Sequence, residues 1–440
     1  MPMSPRRTIL ELLLAALVLA VVIAPTVAGS LPAAKPEDVG ISSDRLRRIH
    51  ETIQRHMDAQ HIAGAVTLVA RRGRVAHFEA HGYMDLTSRK PMSKDAIFRL
   101  ASMSKPVTAV AILMLFEEGK IRLNDPVSVF IPAFKNPKVA FAESSLPPGT
   151  AGNRAGDERR AARIVPANRE ITVRDLLTHT SGLLSRGAGE AAAKLSPRQP
   201  AETLADYIPR LAAVPLDFQP GTAWSYSPGA GIDVLGRIVE VVSGVTFGRF
   251  LKERLFDPLG MKDTGFTLTD ARTARLVTLH RRTAGGLEKA PNDTGRIETV
   301  YFSGAGGLVS TADDYLQFAQ MLVNGGELNG RRFLSPKTVE LMATNHVGEL
   351  YASGCAHQTV GPCDFYDQRG MGFGLGVDVV RDPVAAGVGV SAGSFGWAGA
   401  FGTRMWVDPK ERMVTILLVS TRVVQVQRDF EYAVRQALIE

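Results

Sequence analysis

The sequence is poor in cysteine and has none of the common metal or nucleotide motifs. Its two cysteines, Cys355 and Cys363, lack a histidine-rich neighbourhood that would indicate a zinc site. They form either a short-loop disulfide or two free thiols, and we favour the disulfide for an exported protein. There is no His-Glu-x-x-His, no phosphate loop and no dinucleotide-binding glycine pattern after a strand. We therefore expect neither a metal ion nor a cofactor.

Charge of one sign is not concentrated anywhere in the chain. The formal net charge is +7, but the basic residues are scattered and do not alternate with aromatic residues in a stripe. This distribution gives little support to a nucleic-acid partner. We interpret the charge as serving solubility, with at most a weak attraction to anionic surfaces. Neither repeats nor extended disorder are indicated. A chain of 440 residues predicts two domains.

Long apolar runs are absent except at the N-terminus. There, Arg6 and Arg7 precede the run from Leu12 to Ala24, and small residues lead to Ala28. The pattern predicts a signal peptide over residues 1–28. An uncleaved membrane anchor is the alternative, but the run is short for a full span. We therefore expect a bacterial protein exported to the periplasm or the medium, without stable membrane association once the signal is removed.

Predicted strands lie near both chain ends, and predicted helices lie between them. Strands are expected over 64–70, 74–81, 372–380, 396–407 and 412–420. Helices are expected over 42–59, 102–118, 201–212, 229–242, 246–255 and 427–438. This order predicts an α/β (α+β) domain with an antiparallel sheet, formed by residues 29–124 and 271–440, and a mostly helical domain over 125–270. The cleft between the two is the default active site.

Two histidines, His77 and His81, are four residues apart in the second predicted strand. That spacing would place both on one face of a helix, but in a strand it does not make a helical metal pair. We interpret them as core or surface residues.

Ser102 and Lys105 form a Ser-x-x-Lys motif at the start of a long apolar helix. Residues three apart share one helix face, so an amine could remove the proton of the serine hydroxyl and activate it as a nucleophile. A short motif also occurs by chance. The alternative interpretation is a helix-capping serine with a solvated lysine.

Three further segments accompany this motif. Tyr226-Ser227-Pro228 lies on a loop just before a predicted helix, where a phenol can reach into a cleft. Trp397-Ala398-Gly399-Ala400 begins a C-terminal strand, where small residues let a substrate lie against the strand edge. His179-Thr180-Ser181-Gly182 ends a short helix.

Together with the segment from Gly306 to Tyr315, these motifs resemble the class C β-lactamases and penicillin-binding-protein-like serine hydrolases. The similarity extends from about Pro36 to Thr421 and is greatest to the family VIII carboxylesterases. It implies the β-lactamase-like fold and a small-molecule ester or amide substrate.

The resemblance also implies residue roles. Ser102 would attack the acyl carbonyl, and Lys105 and Tyr226 would handle its proton. The backbone N–H groups of Ser102 and Ala400 would form the oxyanion hole. The segment Trp397-Ala398-Gly399 would contact the substrate.

Two departures from the family pattern bear on the substrate. The tyrosine motif usually ends in asparagine, but Pro228 stands there. Trp397 replaces the lysine of Lys-Thr-Gly, so the cation expected near a β-lactam carboxylate is missing, unless Arg404 supplies one. Both changes favour neutral esters over β-lactams.

A second serine motif, Gly389-Val390-Ser391-Ala392-Gly393, matches the nucleophile elbow Gly-x-Ser-x-Gly. That elbow requires a strand before it and a helix after it, whereas here glycine-rich flanks lead into strands. We expect a turn and place Ser391 outside the chemistry.

The prediction is therefore a serine carboxylesterase with a Ser-Lys-Tyr catalytic set. A β-lactamase or a D-alanyl carboxypeptidase or amidase of the same fold is the alternative enzyme. A non-catalytic peptidoglycan-binding or sensor protein is the alternative outside enzymes.

Overall fold

A computed structural model gives the fold, and it describes residues 30–141, 163–185, 187–194, 196–291, 293–295, 297, 299–355 and 368–440. The predicted signal peptide lies outside these ranges. Cys363 also lies outside them, so its disulfide with Cys355 stays a prediction. Among the described helices, none combines the length and the apolar character needed to cross a membrane.

The described strands, in chain order, are β1 (Gly64–Arg71), β2 (Arg74–Asp85), β3 (Lys90–Pro91), β4 (Phe98–Arg99), β5 (Lys138–Phe141), β6 (Arg163–Pro166), β7 (His280–Thr283), β8 (Gly286–Lys289), β9 (Val309–Ser310), β10 (Glu327–Leu328), β11 (Arg331–Arg332), β12 (Met371–Phe373), β13 (Asp378–Val380), β14 (Phe395–Ala398), β15 (Arg404–Asp408) and β16 (Met413–Val419).

The described α-helices are α1 (Ser43–Asp58), α2 (Ser104–Glu117), α3 (Val173–Leu177), α4 (Ala188–Ala193), α5 (Leu204–Leu211), α6 (Ala230–Ser243), α7 (Phe247–Leu251), α8 (Asp257–Leu259), α9 (Asp270–Thr273), α10 (Ala312–Val323), α11 (Pro336–Met342), α12 (Leu350–Cys355), α13 (Pro383–Ala386) and α14 (Val424–Gln436). A π-helical turn, Lys252–Phe256, joins α7 to α8.

The main sheet has the order β12-β13-β14-β15-β16-β1-β2-β3, and every pair in it is antiparallel. Its centre joins the two parts of the chain, because β1 pairs with β16 in the register Ala65 to Val419. The predicted antiparallel α/β architecture is confirmed. The strands near the two chain ends meet in one sheet through the pairing of β1 with β16.

Side chains that alternate along β1 belong to two hydrophobic cores, one on each face of the sheet. Val66, Leu68 and Ala70 pack in the large core that contains α2. Ala65 and Val69 point to the other face, where α1 and α14 cover the sheet. Successive side chains of a strand point to opposite faces, so one apolar strand serves both layers. The helix that carries Lys105 is thus separated from α1 by the sheet.

Two of the predicted C-terminal strands are wrong in extent. The segment 372–380 is divided between β12 and β13, and 396–407 is divided between β14 and β15. Each break contains a glycine with positive φ, +77° at Gly376 and +94° at Gly402, which a continuous strand does not accommodate. The third predicted strand, 412–420, corresponds to β16, and a tight turn joins it to β15.

The middle of the chain, residues 125–270, is mostly helix and loop where it is described, with the hairpin β5–β6 added. Its helix α6 packs on α2, and both contribute to the same large core. The boundaries of a separate helical domain stay a prediction.

Arg71, at the end of β1, holds distant segments together from a buried position. Its guanidinium donates to the carbonyl oxygens of Val39 at 2.9 Å and Gly40 at 2.8 Å. It also donates to the Glu411 carboxylate and to the main-chain oxygen of Glu440, both at 2.6 Å. The side chain is 2% exposed. A planar group with several fixed donors can satisfy all these acceptors at once.

Arg71→Met should lower the free energy of unfolding by about 3–5 kcal/mol, because buried carbonyls and a carboxylate lose their donor. Urea unfolding measures this. Arg72→Met is the matched control, since Arg72 makes a solvent-exposed pair with Glu440 at 3.3 Å and should cost less than about 1 kcal/mol. Equal losses in the two variants would contradict the assignment.

Candidate active site

Ser102 lies in a short 3-10 turn, Ala101–Met103, between β4 and α2. The preceding residue, Ala101, has φ of +46°, a left-handed conformation that is costly for a residue with a side chain. Backbone strain of this kind concentrates at functional sites, where the surrounding packing maintains it. The turn presents Ser102 at the edge of the large core, partly exposed.

Three predicted site residues meet at the Ser102 hydroxyl. The Tyr226 hydroxyl donates to Ser102 Oγ at 2.7 Å, and Lys105 Nζ lies 3.2 Å from the same oxygen. Lys105 Nζ is also 5.1 Å from the centre of the Tyr226 ring. Tyr226 comes from the loop that precedes α6, as predicted. The structure therefore brings together residues that are 124 positions apart.

Lys105 is completely buried, so the alternative of a solvated lysine is wrong. Its Nζ donates to two backbone carbonyls, those of Pro228 at 2.8 Å and Ala305 at 2.7 Å. The other part of that alternative, a helix-capping Ser102, is also wrong, because the N-cap position of α2 is Met103. A lysine held by two carbonyls and a serine oxygen has one orientation only.

Asp233 is a supporting residue that sequence analysis missed. It lies inside α6 and accepts hydrogen bonds from the Tyr301 hydroxyl at 2.9 Å, the Ser303 hydroxyl at 2.8 Å and the Ala305 N–H at 3.0 Å. Burial raises the pKa of its carboxyl above the ordinary range, against the effect of these donors. The Ala305 peptide thus links Asp233 on one side to Lys105 on the other. An acidic residue within the apolar helix α6 is the signal that could have identified it.

His179, from the motif at the end of α3, supports the tyrosine. Its Nδ1 accepts a hydrogen bond from the Ser227 N–H at 3.3 Å, and its ring meets the Tyr226 ring edge-on at 4.9 Å. Burial, with Lys105 nearby, lowers the pKa of His179 well below the usual range. It is therefore neutral near pH 7 and acts here as an acceptor and a packing surface.

Trp397 is buried behind the tyrosine. Its side chain is part of an aromatic cluster and lies 5.7 Å from Tyr226 and 5.3 Å from Phe373 between ring centres. The residue is 1% exposed, so its indole supports Tyr226 and contributes little open surface. Substrate contact through the segment 397–399 stays a prediction, for which the partly exposed Ala398 is the better candidate.

The turn after β14, which contains Ala400, packs against Leu100, two residues before Ser102. Gly399 donates to the Thr403 carbonyl at 2.8 Å, and the Thr403 hydroxyl donates to the Leu100 carbonyl at 3.1 Å. A Cβ on Gly399 would lie 2.3 Å from that Leu100 oxygen, so glycine is required for this approach. Ala400 is exposed and borders an open cleft of about 450 Å³ with Phe401. The turn is thereby packed against the residues that precede Ser102.

Arg404 does not extend into open space. It is 2% exposed, and its guanidinium carbon lies 4.8 Å from the centre of the Trp406 ring. Its charge acts on the buried carboxyl of Asp378. Burial raises the pKa of this carboxyl to about 6, and the Arg404 charge and the hydrogen bond from the Tyr351 hydroxyl oppose the rise. The charge of Arg404 is therefore directed at an internal carboxyl.

Ser391 lies in a turn between α13 and β14. Its N–H donates to the Asp408 carboxylate at 3.1 Å. A helix precedes it and a strand follows it, the reverse of the order that a nucleophile elbow requires. The prediction of a turn is confirmed.

A family model and individual relatives both match most of this chain. The Beta-lactamase family model matches residues 49–438. Protein Rv1367c of Mycobacterium tuberculosis is 35% identical over 382 residues, 84% of this chain and 88% of that protein. Esterase EstB of Burkholderia gladioli is 30% identical over 418 residues, 89% of this chain and 94% of that protein.

A solved structure extends the agreement to the fold. EstCE1, described as a hydrolase with promiscuous acyltransferase activity, superposes with a TM-score of 0.70 and 29% identity. The match covers 90% of this chain and 99% of that chain.

Asp378 should make stability depend on pH. The folded chain holds its proton more tightly than the unfolded chain does, so this stabilisation is present at about pH 4 and is lost as pH rises through about 6. The expected loss is about 2–3 kcal/mol. Urea unfolding from pH 4 to 7 should therefore show a smaller decline in Asp378→Asn than in the wild type, and the decline that remains in the variant comes from Asp314, whose buried carboxyl also has a pKa raised to about 6.

Tyr351→Phe is the control for this measurement, because it removes a donor to Asp378 but keeps the carboxyl. It should retain the decline and extend it to higher pH, because only the folded-state pKa of Asp378 rises. An Asp378→Asn variant with the wild-type pH dependence would show that the carboxyl is not its source.

Proposed function

The chain belongs to the beta-lactamase family, and we propose that it is a serine hydrolase that cleaves carboxylic esters through an acyl-enzyme on Ser102. One observation carries the proposal: Ser102 Oγ lies between Tyr226 Oη at 2.7 Å and Lys105 Nζ at 3.2 Å. A hydroxyl placed between two groups that exchange protons is an activated nucleophile.

Lys105 is the group that takes the serine proton. A neutral amine has two N–H donors and one lone pair. The carbonyls of Pro228 and Ala305 accept the two donors, which leaves the lone pair directed at Ser102 Oγ. Tyr226, on the other side of the same oxygen, relays the proton towards the leaving group.

Acylation then proceeds in two steps. Ser102 Oγ bonds to the ester carbonyl carbon while its proton passes to Lys105, and the carbonyl oxygen becomes an oxyanion. The N–H groups of Ser102 and Ala400 bind that oxyanion. As the tetrahedral intermediate collapses, the bond to the alcohol oxygen breaks, and the alcohol leaves with the proton delivered through Tyr226.

Deacylation is the same sequence with water as the nucleophile. Water loses a proton to the Lys105 and Tyr226 pair and attacks the acyl carbon. The bond to Ser102 Oγ breaks, Ser102 recovers its proton, and a carboxylic acid leaves. The protein thereby returns to its starting protonation state.

Neutral esters are the proposed substrate class. Pro228 supplies a backbone carbonyl to Lys105 and has no side-chain amide for a β-lactam. Trp397 stands in place of the cation that a β-lactam carboxylate would meet, and Arg404 is buried against Trp406. Esterase EstB, similar to this chain over most of its length, supports the same class.

Ser102→Ala should reduce hydrolysis of p-nitrophenyl butyrate to the background rate, because the proposed nucleophile is removed. Ser391→Ala is the matched control and should keep the wild-type rate. Mass spectrometry of the wild type should find an acyl group on Ser102 after quenching. If Ser391→Ala is inactive and Ser102→Ala is active, the nucleophile is Ser391.

The substrate class is tested with the same preparations. The wild type should hydrolyse the butyrate ester with a higher kcat/KM than it does a chromogenic cephalosporin. The opposite order would identify a β-lactamase, and absence of acylation by any donor would revive the binding-protein alternative.

Tyr226→Phe should lower kcat for the butyrate ester by roughly 10²- to 10⁴-fold, the range for loss of one acid–base group. KM should change little, because the ring remains in place against His179 and Trp397. Tyr432→Phe, which alters a half-exposed tyrosine of α14, is the control and should retain full activity. A Tyr226→Phe variant with wild-type kcat would remove Tyr226 from the proton relay.

A further inference from the structure

Three side chains converge on the sheet face opposite to the Ser102 site. His50 comes from α1, and Glu79 and His81 are alternate residues of β2, which therefore share one face. One ligand atom from each lies within 4.8 Å of the others. His50 Nδ1 is 2.6 Å from Glu79 Oε1, and His81 Nδ1 is 3.7 Å from the same oxygen. Two imidazoles and a carboxylate are a common zinc ligand set.

His81 carries an unsatisfied nitrogen that faces this cluster. Its side chain is 1% exposed, and Nδ1 has no hydrogen-bond partner. Leaving a buried polar atom without a partner lowers the stability of the folded chain, so native structures rarely keep one without a reason. The missing partner is accounted for if Nδ1 is a metal ligand.

The other ring nitrogen of His81, Nε2, makes the outer hydrogen bond that a metal-binding histidine requires. Thr67 Oγ1 lies 2.9 Å from His81 Nε2 and 2.8 Å from His77 Nε2. When Nε2 of His81 donates to the threonine oxygen, the hydroxyl proton remains for His77, and His81 Nδ1 presents its lone pair to the cluster. Metal-binding histidines typically have such an outer hydrogen bond, which sets the tautomer and the ring orientation.

We propose that His50, Glu79 and His81 bind a zinc ion through Nδ1, a carboxylate oxygen and Nδ1. Zinc lies about 2.0–2.2 Å from such ligands, so the three atoms must approach one another within about 4 Å. Rotation of the exposed His50 and the partly exposed Glu79 supplies this movement. An open cleft of about 430 Å³, bordered by His50 and Glu79, admits the ion and a water molecule as the fourth ligand.

The bound ion would connect α1 to β2 and stabilise the layer that covers this face of the sheet. It lies across the sheet from α2, because Thr67 belongs to the same face of β1 as Ala65 and Val69. Zinc should therefore raise thermal stability and leave ester hydrolysis unchanged.

The test is a zinc titration of the full chain, purified without a polyhistidine tag and stripped with EDTA. Calorimetry should give one zinc ion per chain, and the thermal midpoint should rise with added zinc chloride. His50→Gln and Glu79→Gln should each weaken binding by more than tenfold and abolish the thermal shift. Both change exposed or partly exposed side chains, so they leave the folded core intact.

Thr67→Val tests the outer hydrogen bond and should weaken zinc binding roughly 10- to 100-fold. His61→Gln is the matched control, since His61 pairs with His56 at the far end of the same helix. It should bind zinc as the wild type does. The proposal is overturned if the wild type does not bind zinc at micromolar concentration, if His50→Gln binds it equally well, or if His61→Gln loses it.

Discussion

The burial of Lys105 is the constraint on which the site depends. A lysine nitrogen removed from water is costly unless its donors are satisfied. Here two carbonyls accept its N–H groups and the Ser102 oxygen lies at its remaining position, and each of the three comes from a different segment of the chain. The Ala305 peptide is in turn held by Asp233 from α6. Any rearrangement of these segments would leave the amine unpaired, so the need to satisfy one nitrogen positions the proposed nucleophile, the loop of Tyr226 and the Ala305 turn together.

The second organising element is the aromatic cluster behind the tyrosine. Tyr226 can approach Ser102 at 2.7 Å because His179 and Trp397 restrict its ring from behind. The replacement of a family lysine by Trp397 therefore has two consequences. It removes a cation from the proposed substrate site, and it fills the space with a ring that positions the phenol. The proposed preference for neutral esters and the placement of the proposed acid–base group therefore depend on the same residue.

The two faces of the sheet have different physical roles. The face with α2 buries apolar side chains and carries the proposed catalytic set. The face with α1 and α14 contains, beside its apolar core, the buried arginine Arg71 and the hydroxyl of Thr67 with its two histidines. Buried polar groups at these positions need hydrogen-bond partners. Among the described residues, His81 has such a partner for Nε2 but none for Nδ1. The proposed zinc site follows from that imbalance.

Local spacing in the sequence was sufficient for part of this protein. Ser102 and Lys105 share one helical turn, so their proximity is local and could be predicted, as could the α1 helix and the β1–β2 hairpin. The roles of Asp233 and His81 could not be predicted, because burial and hydrogen-bond partners depend on segments far apart in the chain. The breaks after β12 and β14 were missed for a related reason: apolar residues continue on both sides of each break, and only the positive φ of the intervening glycines shows the turn. Sequence determined the residues and their local geometry, whereas long-range packing decided which of them meet.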